Sequence, residues 1–254
     1  MPNGLRDAYL IARNEILVTV RNPFWLFEGL FQPIVYLVLF APLLNGVVGR
    51  SGFPAQNAIQ FFAPGLLIMN ALFTAGFEGF TLRDKASSGF LERLRVTPVS
   101  RLSLAFGFIL QSSATLVFQS VVLLGCSLAF GLRLDPRGAI ALIVLVILIG
   151  ITMASLSYIL GLTIREGGVL AGVINTFVLP LLILSGVMLP IGFGPPIIQM
   201  LSRLDPFYYA VNAARSLIDG SLTDPAVAGA FVVFVPLTVI ALALFIQSMR
   251  EAVA

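Results

Sequence analysis

Residues 138–164 read GAIALIVLVILIGITMASLSYILGLTI, twenty-seven consecutive residues without a charge. An α-helix needs about 20 mostly apolar residues to cross the hydrocarbon core of a bilayer. Lipid offers the backbone no hydrogen-bond partners, so such a stretch has to be helical. Working outward, five more stretches meet the same criterion. They are Phe24 to Leu44, with Glu28 near its start and Pro33 and Pro42 inside it, Ile59 to Phe80, a span within Leu102 to Leu132, Gly167 to about Leu189, and a span within Pro225 to Met249. The expected fold is an all-α membrane protein of six transmembrane helices forming one domain over residues 1–254.

Composition points the same way. Of 254 residues, 58% are hydrophobic and 11% charged, against about 45–50% apolar and about 25% charged in soluble domains. The net charge is only +3, so the high pI of about 9.4 reflects few ionisable groups and no nucleic-acid footprint is expected. The N-terminus, MPNGLRDAYLIARNE, is polar and amphipathic and lacks the apolar core of a signal peptide.

Lys and Arg in the flanks set the orientation. With a cytoplasmic N-terminus, the inner segments hold Arg6, Arg13, Arg21, Arg83, Lys85, Arg93, Arg95, Arg101, Arg165 and Arg250, and the outer ones hold Arg50, Arg133, Arg137, Arg203 and Arg215. Ten against five places both termini in the cytoplasm.

Three segments between the spans carry information. In residues 1–22, Leu5, Tyr9, Ala12, Ile16 and Val20 recur at helical spacing, with Arg6 and Arg13 on the other side. The pattern predicts an amphipathic helix on the inner membrane surface, or a plain leader that anchors the first span. Residues 83–101, RDKASSGFLERLRVTPVSR, predict a short cytoplasmic helix. Gly89 and Glu92 mark its start, Phe90, Leu91 and Leu94 share a face, and Thr97-Pro98 stops it. The alternative is a charged loop that only fixes topology. Residues 190–224 are too broken by Gly and Pro for a span and too apolar for a solvated loop. A re-entrant outer hairpin is expected, with Ile197 to Leu204 dipping into the outer leaflet and a second helix over Phe207 to Ile218. Pro206 stands near the start of that second helix, Gly220 lies past its end, and Tyr208 and Tyr209 suit the interface.

Several chemistries are excluded by residues the chain lacks. A P-loop ends in Gly-Lys-Ser or Gly-Lys-Thr, and the single lysine, Lys85, follows Asp84. The chain has no His, and its one cysteine, Cys126, has no partner for an intramolecular disulfide. No catalytic, cofactor or metal site is therefore expected, and an intrinsic membrane enzyme is disfavoured. Ionisable groups within spans are functional suspects by default. Glu28 and Glu78 are the two here, each readable as a pathway residue or as an interfacial, snorkelling charge. Asn70, Gln111, Gln119 and Asn175 are deep polar groups, with interhelical hydrogen bonding preferred over substrate contact.

The segments Gly89-Phe90-Leu91-Glu92-Arg93-Leu94-Arg95-Val96-Thr97-Pro98, Leu184-Ser185-Gly186-Val187-Met188-Leu189-Pro190 and Asp205-Pro206-Phe207-Tyr208-Tyr209 through Arg215, together with the N-terminal helix, resemble the permease subunits of ABC type-2 exporters. The Ser185–Pro190 signature leans toward the drug-resistance branch typified by the daunorubicin exporter. Asp205 stands where that family more often has Asn. The resemblance implies a second permease copy or a related permease, and two separate subunits that hold ATP and magnesium. It also implies an interface to those subunits through Arg6, Arg13, Gly89, Phe90, Leu91, Glu92, Arg93 and Arg95. The implied function is export of a drug-like or lipid-like amphiphile across a bacterial cell membrane, with Glu28, Asn70, Glu78, Asn175, Tyr208 and Tyr209 as pathway or gating residues. Export of a polysaccharide or lipid-linked glycan, an ATP-independent channel or secondary transporter, and a partner-recruiting membrane protein are the competing readings.

Overall fold

Three helices of the chain begin at an Asp-Pro pair. In each, the aspartate caps the helix while the proline occupies the first turn, where its missing N–H costs nothing. Asp135 accepts from the N–H groups of Arg137 and Gly138 at 2.8 and 3.1 Å. Asp205 accepts from Phe207 at 2.9 Å, and Asp224 accepts from Ala226 at 2.8 Å and from the Ser216 hydroxyl at 2.8 Å.

The computed structural model describes residues 4–21, 29–39, 58–89 and 100–252, and these are all-helical. The helices are α1 (Gly4–Arg21), α2 (Gly29–Leu39), α3 (Ala58–Ser87), α4 (Arg101–Ala129), α5 (Pro136–Thr163), α6 (Gly167–Leu184), α7 (Pro196–Ser202), α8 (Pro206–Ile218) and α9 (Pro225–Ala252), with a 3₁₀ turn at Ile191–Phe193. Five of these, α3, α4, α5, α6 and α9, are long and apolar enough to cross a membrane. The stretch expected as the first span is described only as α2, and its flanks, including Glu28, lie outside the described residues.

The second expected span runs on as α3 to Ser87, so Glu78, Arg83 and Lys85 ride on one continuous helix. It closes through Gly89, whose φ of 74° is the left-handed conformation of a helix C-terminus and whose N–H bonds Ala86. Gly89 therefore ends α3, where the sequence suggested it as the start of a helix. Residues 90–99, which carry Phe90, Leu91, Glu92, Arg93 and Arg95, lie outside the described residues. The fifth span stops at Leu184, short of the expected Leu189. The chain turns at Gly186, φ 75°, with Pro190 following.

At the centre α3 crosses α5, and α9 packs on the far side of α5. The crossing is nearly backbone on backbone. A side chain on Gly79 would strike the Ser157 carbonyl, and one on Gly161 would strike the Gly79 carbonyl. Ser157 completes the seam, accepting from the Gly79 N–H at 2.8 Å and donating to the Gly76 carbonyl. Small residues that let backbones touch, with hydroxyls bonding across, are the usual glue where apolar helices gain nothing from leaving water. Beside the seam Tyr158 stacks on Phe245 and packs at a tilt against Phe108, at 5.0 and 5.7 Å between ring centres.

Helix α8 wedges beneath α3, α5 and α9, burying Phe207, Ala210, Val211, Ala214, Leu217 and Ile218. Gly138 permits this, because any side chain there would meet the Leu217 carbonyl. Gln60 staples the same end, bonding Asp219 at 2.7 Å and the backbone of Arg133 at 2.9 and 3.1 Å. Helix α1 lies along α4, burying Ala8 and Ala12, with Ile11 packed into the space left by Gly107. The apolar stripe expected on α1 is thus divided: Ala12 faces protein, while Tyr9 and Val20 are exposed. Outward-facing apolar side chains are abundant, with Phe177 and Ile183 on α6 and Val232 on α9 exposed by 66%, 70% and 73%. Such surfaces suit lipid or another apolar partner, since water-facing proteins rarely carry patches of this kind.

Candidate functional site

Along its cavity-facing side α3 carries Phe73, Phe77 and Phe80 at spacings of four and three residues, so the rings stack up one wall. Their planes are 14° and 15° apart, with centres at 6.4 and 5.8 Å. The wall faces a cavity of about 920 Å³ lined by α1, α2, α3 and α4. Its α3 side extends from Met69 to Ser88, about 28 Å of helix.

Polar groups mark the other side. Gln119 of α4 accepts through Oε1 from Asn70 at 2.9 Å and Thr74 at 3.0 Å, tying α4 to α3 in the middle of the helices. Gln111 bonds Thr115 at 3.4 Å one to two turns earlier, and Gln32 of α2 bonds Tyr36 at 3.3 Å. Toward the α1 end the cavity meets charge. Glu78 is 8% exposed, and the Tyr158 hydroxyl donates to it at 3.2 Å. Lys85, two turns further along, forms an ion pair with Glu15 of α1, and its ammonium sits 4.8 Å from the Phe108 ring centre. Arg83 pairs with Asp84 at 2.8 Å and donates to the Arg165 carbonyl at 2.9 Å, joining α3 to the α5–α6 turn.

A second, smaller cavity of about 280 Å³ lies at the opposite end, between the Ser185–Gly192 turn and α8. Arg215 dominates it. Its guanidinium lies 3.8 Å from the Phe61 ring centre and donates to the Phe61 carbonyl at 3.2 Å and the Gly186 carbonyl at 2.8 Å. Burial lowers the Arg215 pKa to about 10, so it stays charged at neutral pH. Burial also raises the Asp205 carboxyl to about 7, against the pull of the Phe207 N–H. Asp224, by contrast, is held below the ordinary carboxylate range by the Ala226 N–H and the Ser216 hydroxyl.

The residues singled out from the sequence fall in different places. Asn70 and Glu78 line the large cavity. Glu78 is buried against Tyr158. Asn175 bonds the Ala171 carbonyl of its own helix at 3.0 Å and lines neither cavity. Tyr208 lines the small cavity, and Tyr209 stands edge-on to it at 5.6 Å while its hydroxyl donates to the Arg203 carbonyl at 3.0 Å. Arg6 and Arg13 are exposed on the side of α1 away from α4. Sequence reasoning missed Glu15, Lys85 and the phenylalanine wall. The four-then-three spacing of Phe73, Phe77 and Phe80 was the available signal for the wall.

Five helices long and apolar enough to cross a membrane, packed around a cavity, make a multi-pass membrane protein. The chain belongs to the ABC-2 type transporter family, whose model matches residues 6–218. It is 28% identical over 221 residues to "Putative transport permease ycf38" of Cyanophora paradoxa, covering 85% of this chain and 76% of that one. The protein of the same name from Porphyra purpurea is 28% identical over 215 residues, covering 83% and 73%. That from Pyropia yezoensis is 30% identical over 208 residues, covering 80% and 70%.

Proposed function

We propose that this chain is the membrane subunit of an ATP-driven exporter that moves a drug-like or lipid-like amphiphile out of a bacterial cell, with ATP and magnesium held by a separate subunit. The observation that carries this reading is the cavity between α1 and α4. It is apolar along Phe73, Phe77 and Phe80, polar along Asn70, Gln111 and Gln119, and charged where α1 crosses its end. That gradient matches a molecule with a greasy body and a polar head. A cavity of about 920 Å³ is of the size that holds a molecule of this kind.

In this reading the N-terminal stretch containing α2 is the first of six spans, and both termini face the cytoplasm. Among the described residues, Arg6, Arg13, Arg21, Arg83, Lys85, Arg165 and Arg250 lie toward the α1 end, and Arg133, Arg137, Arg203 and Arg215 toward the other. Seven against four supports an inward-facing α1. Two permease copies, or two related permeases, work with two ATP-binding subunits. Those subunits dock through Arg6, Arg13 and the segment Gly89 to Arg95. ATP binds one arrangement of the subunits better than another, and the population shift moves α1 against the cavity wall. Helices α7 and α8 cap the exit as an outer hairpin, with Tyr208 and Tyr209 near its mouth.

Purification of the tagged chain from native membranes in mild detergent, with mass spectrometry and an ATPase assay, tests the proposal. An ATP-binding subunit at one copy per permease is the expected result. A chain that purifies alone from membranes lacking associated ATPase activity would overturn it.

A further inference from the structure

We propose that the small cavity beside Arg215 binds an oxyanion, a phosphate or carboxylate group, through the Arg215 guanidinium and the Tyr208 hydroxyl. The inference goes beyond the exporter reading and stands without it. Arg215 lines this cavity and is charged at neutral pH. Two of its N–H groups reach the carbonyls of Phe61 and Gly186, and the Phe61 ring covers one face. The guanidinium fork carries further N–H groups that neither bond uses. Among the described residues no carboxylate answers its charge. Asp135, Asp205 and Asp224 each cap a helix, Asp219 accepts from Gln60, and none of the four lines the cavity. Neutral carbonyls and a ring therefore satisfy part of the guanidinium and leave a largely desolvated charge unbalanced. An anion entering the cavity supplies the balance.

Tyr208 supplies the second donor. Its ring stands edge-on to Tyr209, its phenol lies within electrostatic reach of Arg215, and its hydroxyl bonds nothing among the described residues. The other polar side chains of the lining are spent on backbone. Asn212 donates to the Tyr208 carbonyl at 2.9 Å, and Ser185 donates to the Leu182 carbonyl at 2.7 Å. The side-chain donors left for a ligand are thus a guanidinium fork and a phenol, a pair suited to the several oxygens of a phosphate or carboxylate. Space is available for such a group. A buried water needs about 10–15 Å³, and the cavity holds about 280 Å³. Bonding the two carbonyls accounts for N–H donors at position 215, but not for an open cavity beside a full charge.

The test is equilibrium dialysis of the purified full chain in non-ionic detergent against radiolabelled inorganic phosphate, acetate and dihexanoyl phosphatidic acid. Saturable binding of at least one of them, at one site per chain, is expected. Binding of a free anion identifies a soluble ligand, and binding of phosphatidic acid alone identifies a lipid head group. Dihexanoylglycerol, the uncharged counterpart, should not compete. Tyr208→Phe keeps the ring on Tyr209 and every bond of Arg215, and should weaken binding about tenfold. Arg215→Gln should weaken it at least as much. Arg137→Gln, which removes an exposed charge away from the cavity, should leave affinity unchanged. Binding of none of the three probes, equal competition by dihexanoylglycerol, or a folded Tyr208→Phe chain with wild-type affinity would overturn the inference. Tyr208→Phe decides the matter even where the Arg215→Gln protein misfolds. Dialysis involves no nucleotide and no second subunit, so its outcome is independent of whether an ATP-binding partner is found.

Discussion

Arg215 of α8 donates to the carbonyl of Gly186 at 2.8 Å, joining two segments 29 residues apart that the sequence marks separately. The same guanidinium covers the Phe61 ring and bonds the Phe61 carbonyl, so three elements meet on one side chain. Truncation removes both hydrogen bonds and the ring contact. Arg215→Ala should cost about 2–4 kcal/mol, from lost charge-assisted hydrogen bonds and cation–π contact. Arg215→Lys should recover only part of this, because an ammonium lacks the planar fork that reaches both carbonyls. Thermal unfolding in detergent, followed by size-exclusion chromatography, measures the order. An alanine variant as stable as wild type would remove Arg215 from its structural role.

The α3–α5 seam predicts a contrast between two glycines. Gly161→Ala puts a methyl group against the Gly79 carbonyl and should destabilise by about 1–3 kcal/mol or more. Gly125→Ala, in the helix interior of α4 with nothing within 4 Å of the new methyl, should be neutral or stabilising by up to about 1 kcal/mol. The yield of monodisperse protein and its melting temperature report the difference. Equal behaviour of the two variants would contradict the backbone contact.

Asp205 predicts a pH effect with a definite sign. Its folded pKa of about 7 lies above the unfolded value of 3.8. The protonated form is thus favoured by folding. The resulting stability is fully present below pH 3.8 and is lost as pH rises through about 7. Asp205→Asn keeps an acceptor for the Phe207 N–H and removes the titration. The melting-temperature difference, variant minus wild type, should grow between about pH 4 and 7.5 and then level off. A difference that is flat across this range would show that Asp205 is not held protonated.

The Glu15–Lys85 pair predicts charge complementarity between α1 and α3. Glu15→Lys and Lys85→Glu should each loosen α1, and the double swap should restore its docking. A coupling energy of about 0.5–3 kcal/mol is typical for side chains in direct contact. Limited proteolysis near Arg13 and Arg21 reads the docking directly. Additive single effects, with no rescue in the swap, would show that the pair holds nothing.

The long uncharged runs make the spans readable, and Pro206 and Gly220 frame α8 correctly because both act through local backbone chemistry. The Asp-Pro pairs at 135, 205 and 224 are equally local, and each marks a helix start. What stays hidden in the sequence depends on which helices meet. Glu78 looks interfacial when counted from the end of a twenty-residue span, but α3 is 30 residues long and Tyr158 comes from another helix. Lys85 looks like a topology signal until α1 supplies Glu15. The fifth span reads too long because residues 185–189 are largely apolar, and hydropathy is blind to the left-handed turn at Gly186.

Because Gly79 and Gly161 bring the two backbones into contact and the Ser157 hydroxyl is bonded on both sides, the α3–α5 crossing has little slack to slide through. The two helices have to travel as a single strut. Glu78 hangs from one and Tyr158 from the other, so their bond rides with the strut through any motion of the protein. Reshaping of the chamber then falls to the opposite walls, α1, α2 and α4. Of these, α1 is held to α3 by the Glu15–Lys85 pair and α4 by the bonds of Gln119 to Asn70 and Thr74. Those few polar fasteners are where a transport cycle would have to let go.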